Sequence, residues 1–231
     1  VSKKDGSKDA RRSPRRRDAL SKRVIVQTAI DILDADGEEA LTFRALAARL
    51  STGAGALYHH VSNKDQLLAA AATNLVERVT GPAPSSDSSE ATLRTLMLDV
   101  FDVIRAHPWL GAQLSRAPWQ PADLLIFERI GELLAPLQIP DEMRFDVASA
   151  FMNHVLGAAA QQAAGTCIAP NLDRAAFLEK VTAGWTAHAG RDQLPFVHEI
   201  APQLAHHDDR QQFATGVNLL LAGIAAATHP C

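Results

Sequence analysis

Apolar residues recur every three or four positions along nearly the whole chain, and no run alternates apolar and polar residues with the β-branched and aromatic character of a strand. The pattern predicts an all-α fold. Ser21 is placed to cap a first helix running to Asp36, with Val26, Ala29, Ile30 and Leu33 on one face and Gly37 where a left-handed C-cap would stand. Thr42 caps a short second helix whose inner face is Phe43, Leu46, Ala47 and Leu50. After the turn Ser51-Thr52-Gly53, a third short helix carries Ala56, Leu57 and Tyr58 and ends near Val61. Asn63, followed three residues later by Gln66, makes a capping box for a fourth helix from Lys64 to about Thr80.

The stretch 81–89, Gly-Pro-Ala-Pro followed by serines and Asp87, reads as a linker. Beyond it the periodicity predicts helices near 90–106, 108–115, 121–137, 141–164, 172–188 and 211–228. Residues 189–210, with Pro195, Pro202 and the cluster His206-His207-Asp208-Asp209, read as a long loop holding one helical turn or two. The organisation expected is a mobile basic arm over 1–20, a small helical domain over 21–66 and a larger helical domain over 67–231. No internal repeat is visible.

Composition changes this picture in one respect. The net charge is only −3, but residues 1–23 carry +7, residues 24–64 carry −2 and the remainder carries −8. The chain has a basic tip and an acidic body. No uninterrupted apolar run is long enough to cross a membrane, and the charged N-terminus lacks the apolar core of a secretory signal, so a cytoplasmic protein without a membrane partner is expected. Cys167 and Cys231 form neither a disulfide framework nor a metal knuckle, and free thiols are expected. No metal, no cofactor and no catalytic residues are expected, because no nucleophile–base pair, metal spacing or phosphate-binding glycine loop stands out.

Two short helices joined by a tight turn and braced by a preceding helix make a helix-turn-helix. The second of the pair must lie in a major groove about 12 Å wide, so its outer residues should be small or polar and its inner ones apolar. Gly53, Ala54, Gly55 and Ala56 meet the first demand, Leu57 and Val61 the second. The order Ala29, Gly37, then Leu41-Thr42-Phe43-Arg44-Ala45-Leu46-Ala47, then Gly55-Ala56-Leu57-Tyr58-His59-His60-Val61, then Asn63-Lys64-Asp65-Gln66-Leu67-Leu68 resembles the DNA-binding domain of the tetracycline-repressor (TetR) family of bacterial transcriptional regulators.

The resemblance implies a double-stranded DNA operator as partner and gives individual residues roles. Thr42 matches the family's N-cap and phosphate contact. Arg44 matches a position able to reach a base edge, or else it is a solvated surface arginine. Tyr58 and His60 match the aromatic and histidine that face the backbone, although Tyr58 reads equally well as a half-buried core residue. Lys64 matches a lysine whose charge and helix N-terminus together favour phosphate. Ala54, Gly55 and Ala56 form no side-chain hydrogen bonds to bases, so readout falls on Arg44, His59 and the arm, where Arg12 to Arg17 either reach DNA or form a solvated tail.

Symmetric operators imply a homodimer, and the helices near 141–164 and 211–228 suit that interface. The first is rich in small residues, and the second carries Phe213-Ala214-Thr215-Gly216 ahead of a leucine-rich stretch that resembles the final helix of the tetracycline-repressor branch. The family further implies an unknown small-molecule effector between helices 5 and 8. Candidate contacts are Phe101, His107, Trp109, Gln113, Trp119, Phe151, His154 and Gln161, with Trp185 lining the pocket or crossing from the partner. Where tetracycline-binding members hold magnesium and drug with a histidine and a glutamate, this chain places neutral Gln113 and Gln161, so a magnesium–tetracycline complex is not the expected effector. The function expected is a repressor released from a palindromic operator by a small molecule. The alternatives are a regulator without an inducer and, from another class, a small helical enzyme using His154 or His107.

Overall fold

A computed structural model of the chain describes residues 20–82, 88–116, 118–168, 174–188, 190, 192–204 and 207–228. The basic arm, residues 83–87 of the linker, His206 and Cys231 lie outside the described residues. Among those described, the regular structure is helical: α1 (Lys22–Ala40), α2 (Phe43–Arg49), α3 (Ala54–Tyr58), α4 (Lys64–Glu77), α5 (Ser89–Ala106), α6 (Pro108–Leu114), α7 (Pro121–Leu134), α8 (Asp141–Ile168), α9 (Arg174–His188), α10 (Pro195–Leu204) and α11 (Asp209–Thr228). The all-α expectation holds. The boundary between two compact units falls inside α4, between Ala71 and Ala72.

Capping sets the starts of these helices. Ser21 Oγ accepts from Val24 N at 3.3 Å, Thr42 Oγ1 from Ala45 N at 3.1 Å and Asn63 Oδ1 from Gln66 N at 2.8 Å, each satisfying a donor the first turn would leave unpaired. Gln66 does not complete the reciprocal box: its Oε1 accepts from Ser62 N, one residue before the cap. Ser89, read as linker, opens α5, and Ser88 caps it, its Oγ accepting from Ala91 N. Asp208 caps α11 by accepting from Gln211 N at 2.8 Å.

Two local readings need correction. Gly37 does have positive φ (78°), but its ψ of 178° is extended, so it breaks α1 without closing it and one further helical stretch runs to Ala40. The region 189–210 is not chiefly loop. Ten of its residues form α10, because Pro195 sits at the first helical position, where no donor is lost, and Ala201 is buried and Leu204 half-buried while Phe196 stays exposed.

In the first unit Ile25, Val26, Ala29, Ile30, Ile32 and Leu33 of α1 are buried together with Leu46, Ala47, Leu57 and Val61. In the second, α5 is central: its face of Leu93, Leu96, Met97, Val100, Phe101 and Ile104 is buried, and α6, α7, α8 and α11 all pack on it. Two glycines set close approaches there. A methyl group on Gly111 of α6 would lie 2.4 Å from the carbonyl oxygen of Ala159 on α8, and one on Gly216 of α11 would lie 2.4 Å from the His154 ring. That ring stacks on Phe213 at 4.4 Å, and its Nε2 donates to the Phe213 carbonyl at 3.0 Å. The spacing Phe213-x-x-Gly216 thus makes a slot for one imidazole. Arg210 fixes the start of α11 to α5 by donating from Nε to both oxygens of Asp102, at 2.9 and 3.1 Å.

Candidate functional site

The first unit presents α3 outward. Leu57 and Val61 are buried, whereas Gly53, Ala54 and Gly55 are exposed and Ala56 is half-buried. Gly53 has φ of −84°, and a methyl group on either Gly53 or Gly55 would meet nothing within 4 Å. Neither the chain's own packing nor, at Gly53, the backbone conformation requires glycine. The left-handed residue of the preceding turn is Ser51, with φ of 51°. A small outer face that nothing inside the chain demands leaves room for something outside it.

Around this face the expected polar residues are distributed unequally. Arg44, His59 and His60 are exposed. Arg44 makes no hydrogen bond or ion pair among the described residues, whereas Arg49, further along α2, is bound to Asp36 at 2.9 Å. Tyr58 is 55% exposed and lies flat on Phe43, ring centroids 4.5 Å apart and planes 5° apart. It is therefore not a core tyrosine: Phe43 holds one face of its ring while more than half of the residue stays exposed. Thr42 is exposed, but its hydroxyl oxygen already accepts the cap bond, leaving its O–H free to donate. Lys64 is half-buried and donates from Nζ to the Glu38 carbonyl at 2.6 Å, so one of its three N–H groups holds the end of α1 to the start of α4. Sequence reasoning missed that second role, and the Phe43–Tyr58 stack with it. The apolar residue after the Thr42 cap was the available signal.

The second unit does not gather the nine candidate ligand residues into one cavity. Phe101, His154 and Gln161 line a cleft of about 200 Å³ between α5, α8 and α11, together with Asn153, Gly157 and Phe213. Phe151 is fully buried and does not line it. His107 and Trp109 meet edge to face at 6.3 Å where α5 turns into α6. Trp185 lies on α9, which packs on α10.

Gln113 and Trp119 belong to the junction between α6 and α7, where sequence reasoning overlooked two partners. Gln113 Nε2 donates to Gln120 Oε1 at 2.6 Å, and Gln120 Nε2 donates back to the Gln113 carbonyl at 2.9 Å. Gln120 N donates to Asp123 Oδ2 at 3.1 Å. Asp123 is buried, and that burial pushes its carboxyl up to about 6 against the pull of the Gln120 hydrogen bond. Its position three residues past Gln120, with Pro121 between, is the cap pattern that could have marked it. Among the described residues no three metal-ligating side chains come together, and no helix is long and apolar enough to cross a membrane.

A short helix with a small outer face, braced by α1 and α2 and followed by a capped α4, defines a helix-turn-helix DNA-binding regulator. The profile of bacterial regulatory proteins of the tetR family matches residues 25–71, and that of the tetracyclin repressor-like C-terminal domain matches residues 81–228. The chain belongs to this family and is a transcriptional regulator rather than an enzyme. Among its relatives, the HTH-type transcriptional repressor DrrR1 of Streptomyces coeruleorubidus is 30% identical over 60% of this chain and 52% of its own length, so the match spans about half of that protein. An HTH-type transcriptional regulator of Saccharopolyspora erythraea is 31% identical over 90% of this chain and 85% of its own. Of solved structures, the TetR regulator SCO7222 of Streptomyces coelicolor is 40% identical, covers 91% of this chain and 100% of its own, and superposes with a TM-score of 0.79. The TetR family protein ActR of the same organism, in complex with actinorhodin, is 25% identical over 91% of this chain and 98% of its own, with a TM-score of 0.74.

Proposed function

We propose that this chain is a cytoplasmic homodimeric repressor that binds a palindromic DNA operator through α3 and is released by a small molecule held in its second unit. The observation that carries the DNA-binding half is the open face of Gly53, Ala54 and Gly55, flanked by Arg44, Tyr58, His59 and His60. Small residues let the backbone enter the groove, while Arg44 supplies the side chain able to pair with a guanine edge, a contact contributing about 1–3 kcal/mol of discrimination. Thr42, Tyr58 and Lys64 serve the phosphates, which position the helix without reading sequence.

The dimer forms through α8 and α11. Each turns an uncovered face outward: Gly157, Ala160 and Ala164 on α8, Thr215, Leu219 and Gly223 on α11, with Leu219 69% exposed. Glycines 157 and 223 have nothing within 4 Å in their own chain, which suits close approach by another helix. This reading gives the cleft lined by Phe101, His154 and Gln161 to the subunit contact, and leaves the effector to the other side of the α5–α8 bundle. Release requires a ligand that prefers the body conformation in which the fourth helix is re-angled. A 100-fold loss of operator affinity corresponds to about 2.7 kcal/mol of coupling. That a 25% identical relative is bound to actinorhodin supports an organic effector as a class.

The test is selection of bound DNA from a random pool at moderate salt. A palindrome whose half-sites are centred about one helical turn or a multiple of it apart is expected, and Arg44→Ala should relax the preference at one base pair of each half-site. Absence of any enriched palindrome would overturn the reading.

A further inference from the structure

Residues 24–64 carry −2 when their imidazoles are neutral, and their cations are few. Arg49 on α2 is taken by Asp36 of α1 at 2.9 Å, which leaves Arg44 on α2 and Lys64 at the start of α4. Lys64 already gives one N–H to the Glu38 carbonyl. His59 and His60 stand at the end of α3, both exposed. Their backbone is anchored: His60 N donates to the Leu57 carbonyl at 2.9 Å, and Leu57 and Val61 on either side of the pair are buried. Neither imidazole makes a hydrogen bond or ion pair among the described residues. The element packed against α3 is α2, whose charged groups are Arg44 and Arg49; the other charged or titratable neighbours in this part of the chain are Tyr58, Asp65 in the first turn of α4, and Asp36, Glu38 and Glu39 toward the end of α1. Two exposed, unpaired imidazoles therefore sit on the helix that this region, short of fixed positive charge, presents outward.

We propose that operator binding takes up protons at His59 and His60, so that mild acidification tightens the complex through charge placed at the end of α3. The proposal rests on the reading of α3 as the helix that meets the operator. Protonating both rings brings residues 24–64 from −2 to zero and gives the region as many new cations as Arg44 and Lys64 supply together. Exposure means that charging the rings costs little desolvation, and nearby phosphate favours the charged form. Lysine and arginine, including the eight in residues 1–17, stay charged throughout the neutral range, so their contribution does not change with pH. Imidazole is the side chain whose charge changes there. Linkage fixes the sign: the state that holds protons more tightly gains as pH falls. An imidazole that titrates at about 6.5 in free protein and about 7.5 beside phosphate strengthens binding about sixfold between pH 8 and pH 6.

The experiment uses the full chain and a rhodamine-labelled duplex carrying the selected palindrome, with affinity read by anisotropy at pH 6 and pH 8 and constant ionic strength. The readout is the ratio of the two affinities, compared between the wild type and the double variant His59→Gln/His60→Gln. Loss of a contact weakens binding at both pH values and leaves the ratio alone, whereas loss of proton uptake flattens it. Asp123, which titrates at about 6, and the seven histidines of the second unit are common to both proteins and cancel in the comparison. The wild-type ratio is expected to exceed that of the variant by at least about sixfold, the gain of a single imidazole, and a smaller difference would overturn the proposal. Calorimetry in two buffers of different ionisation heat should show protons taken up by the wild type that the variant does not take up; equal uptake would overturn it as well. Both substitutions are at exposed positions, and His59→Arg/His60→Arg, which carries the charge permanently, should likewise lose the excess ratio. The outcomes stay separate from those of the operator reading: a protein that selects a palindrome but shows no excess ratio keeps its regulator reading and loses this one.

Discussion

Replacing Gly111 with alanine sets two effects of known sign against each other. In the interior of an exposed helix the change stabilises by about 1 kcal/mol, since glycine gives up more backbone freedom on folding. Here the new methyl would lie 2.4 Å from the Ala159 oxygen and 3.2 Å from its carbonyl carbon. Both atoms are backbone of α8, so no rotamer change relieves the clash. The crossing of α6 over α8 must widen by about 1 Å to restore ordinary contact, loosening the packing around the buried Leu110 and Leu114. Overpacking of this kind costs about 1–3 kcal/mol beyond the lost propensity gain. At about 2–4 °C per kcal/mol for a chain of this size, Gly111→Ala should lower the melting temperature by roughly 2–12 °C. Gly131→Ala on α7 is the control, because a methyl there meets nothing within 4 Å, and it should be neutral or raise the midpoint slightly. Thermal unfolding followed by circular dichroism compares the two. A Gly111→Ala protein as stable as Gly131→Ala would refute the close-approach argument.

Asp123 gives a pH signature with a definite sign. Its carboxyl titrates at about 6 when folded against 3.8 when unfolded, so between those values the folded chain holds the extra proton and stability falls as pH rises. The full penalty, about 3 kcal/mol at most, is present above pH 6 and absent below 3.8. Asp123→Asn should therefore gain on the wild type by about 1.4 kcal/mol more at pH 8 than at pH 5, measured by urea unfolding; an equal difference at both would contradict the assignment. At the proposed subunit contact, exposed Gly223 leaves at least 4 Å of open space around an added Cβ, so Gly223→Phe should be tolerated by its own chain but obstruct a partner, and the mass by light scattering should halve while helicity is kept. Deleting residues 1–17, which carry eight Lys/Arg, should flatten the dependence of operator affinity on salt. An unchanged slope would make the arm a solvated tail.

Most of the helices could be read from the chain because short-range signals suffice: Ser21, Thr42, Asn63 and Asp208 each accept the cap bond their position implies. What escaped is set by tertiary context. Pro202 argued against α10, yet the helix persists around it, with Ala201 and Leu178 buried where α9 and α10 pack. Asp123 looks like an ordinary first-turn acid of α7, and only the elements folded over it make it a buried, half-satisfied group. Lys64 was read as a phosphate ligand, but the Glu38 carbonyl that occupies one of its donors is 26 residues away in sequence.

The glycines show how a structure divides what a sequence leaves mixed. Gly111 and Gly216 are needed by the chain itself, one against the α8 backbone and the other against the His154 ring. Gly53, Gly55, Gly157 and Gly223 face open space at conformations where α-helical or extended backbone would accept a side chain. In a folded monomer the three inside helices, Gly55, Gly157 and Gly223, would gain from replacement by alanine, whereas Gly53 is the N-cap of α3, where glycine is itself favoured over alanine. Gly53 and Gly55 lie at the start of α3, and the other two on the outward faces of α8 and α11; the helix-turn-helix region carries −2 and cannot draw DNA by charge alone, so shape must do more of the work there. Under the proposed function, close approach of a backbone to a groove, and of one helix to its copy, is the constraint from outside the chain. If the reasoning holds, Gly55→Ala should stabilise the isolated protein by about 0.5–1 kcal/mol while weakening operator binding, a split that internal packing could not produce.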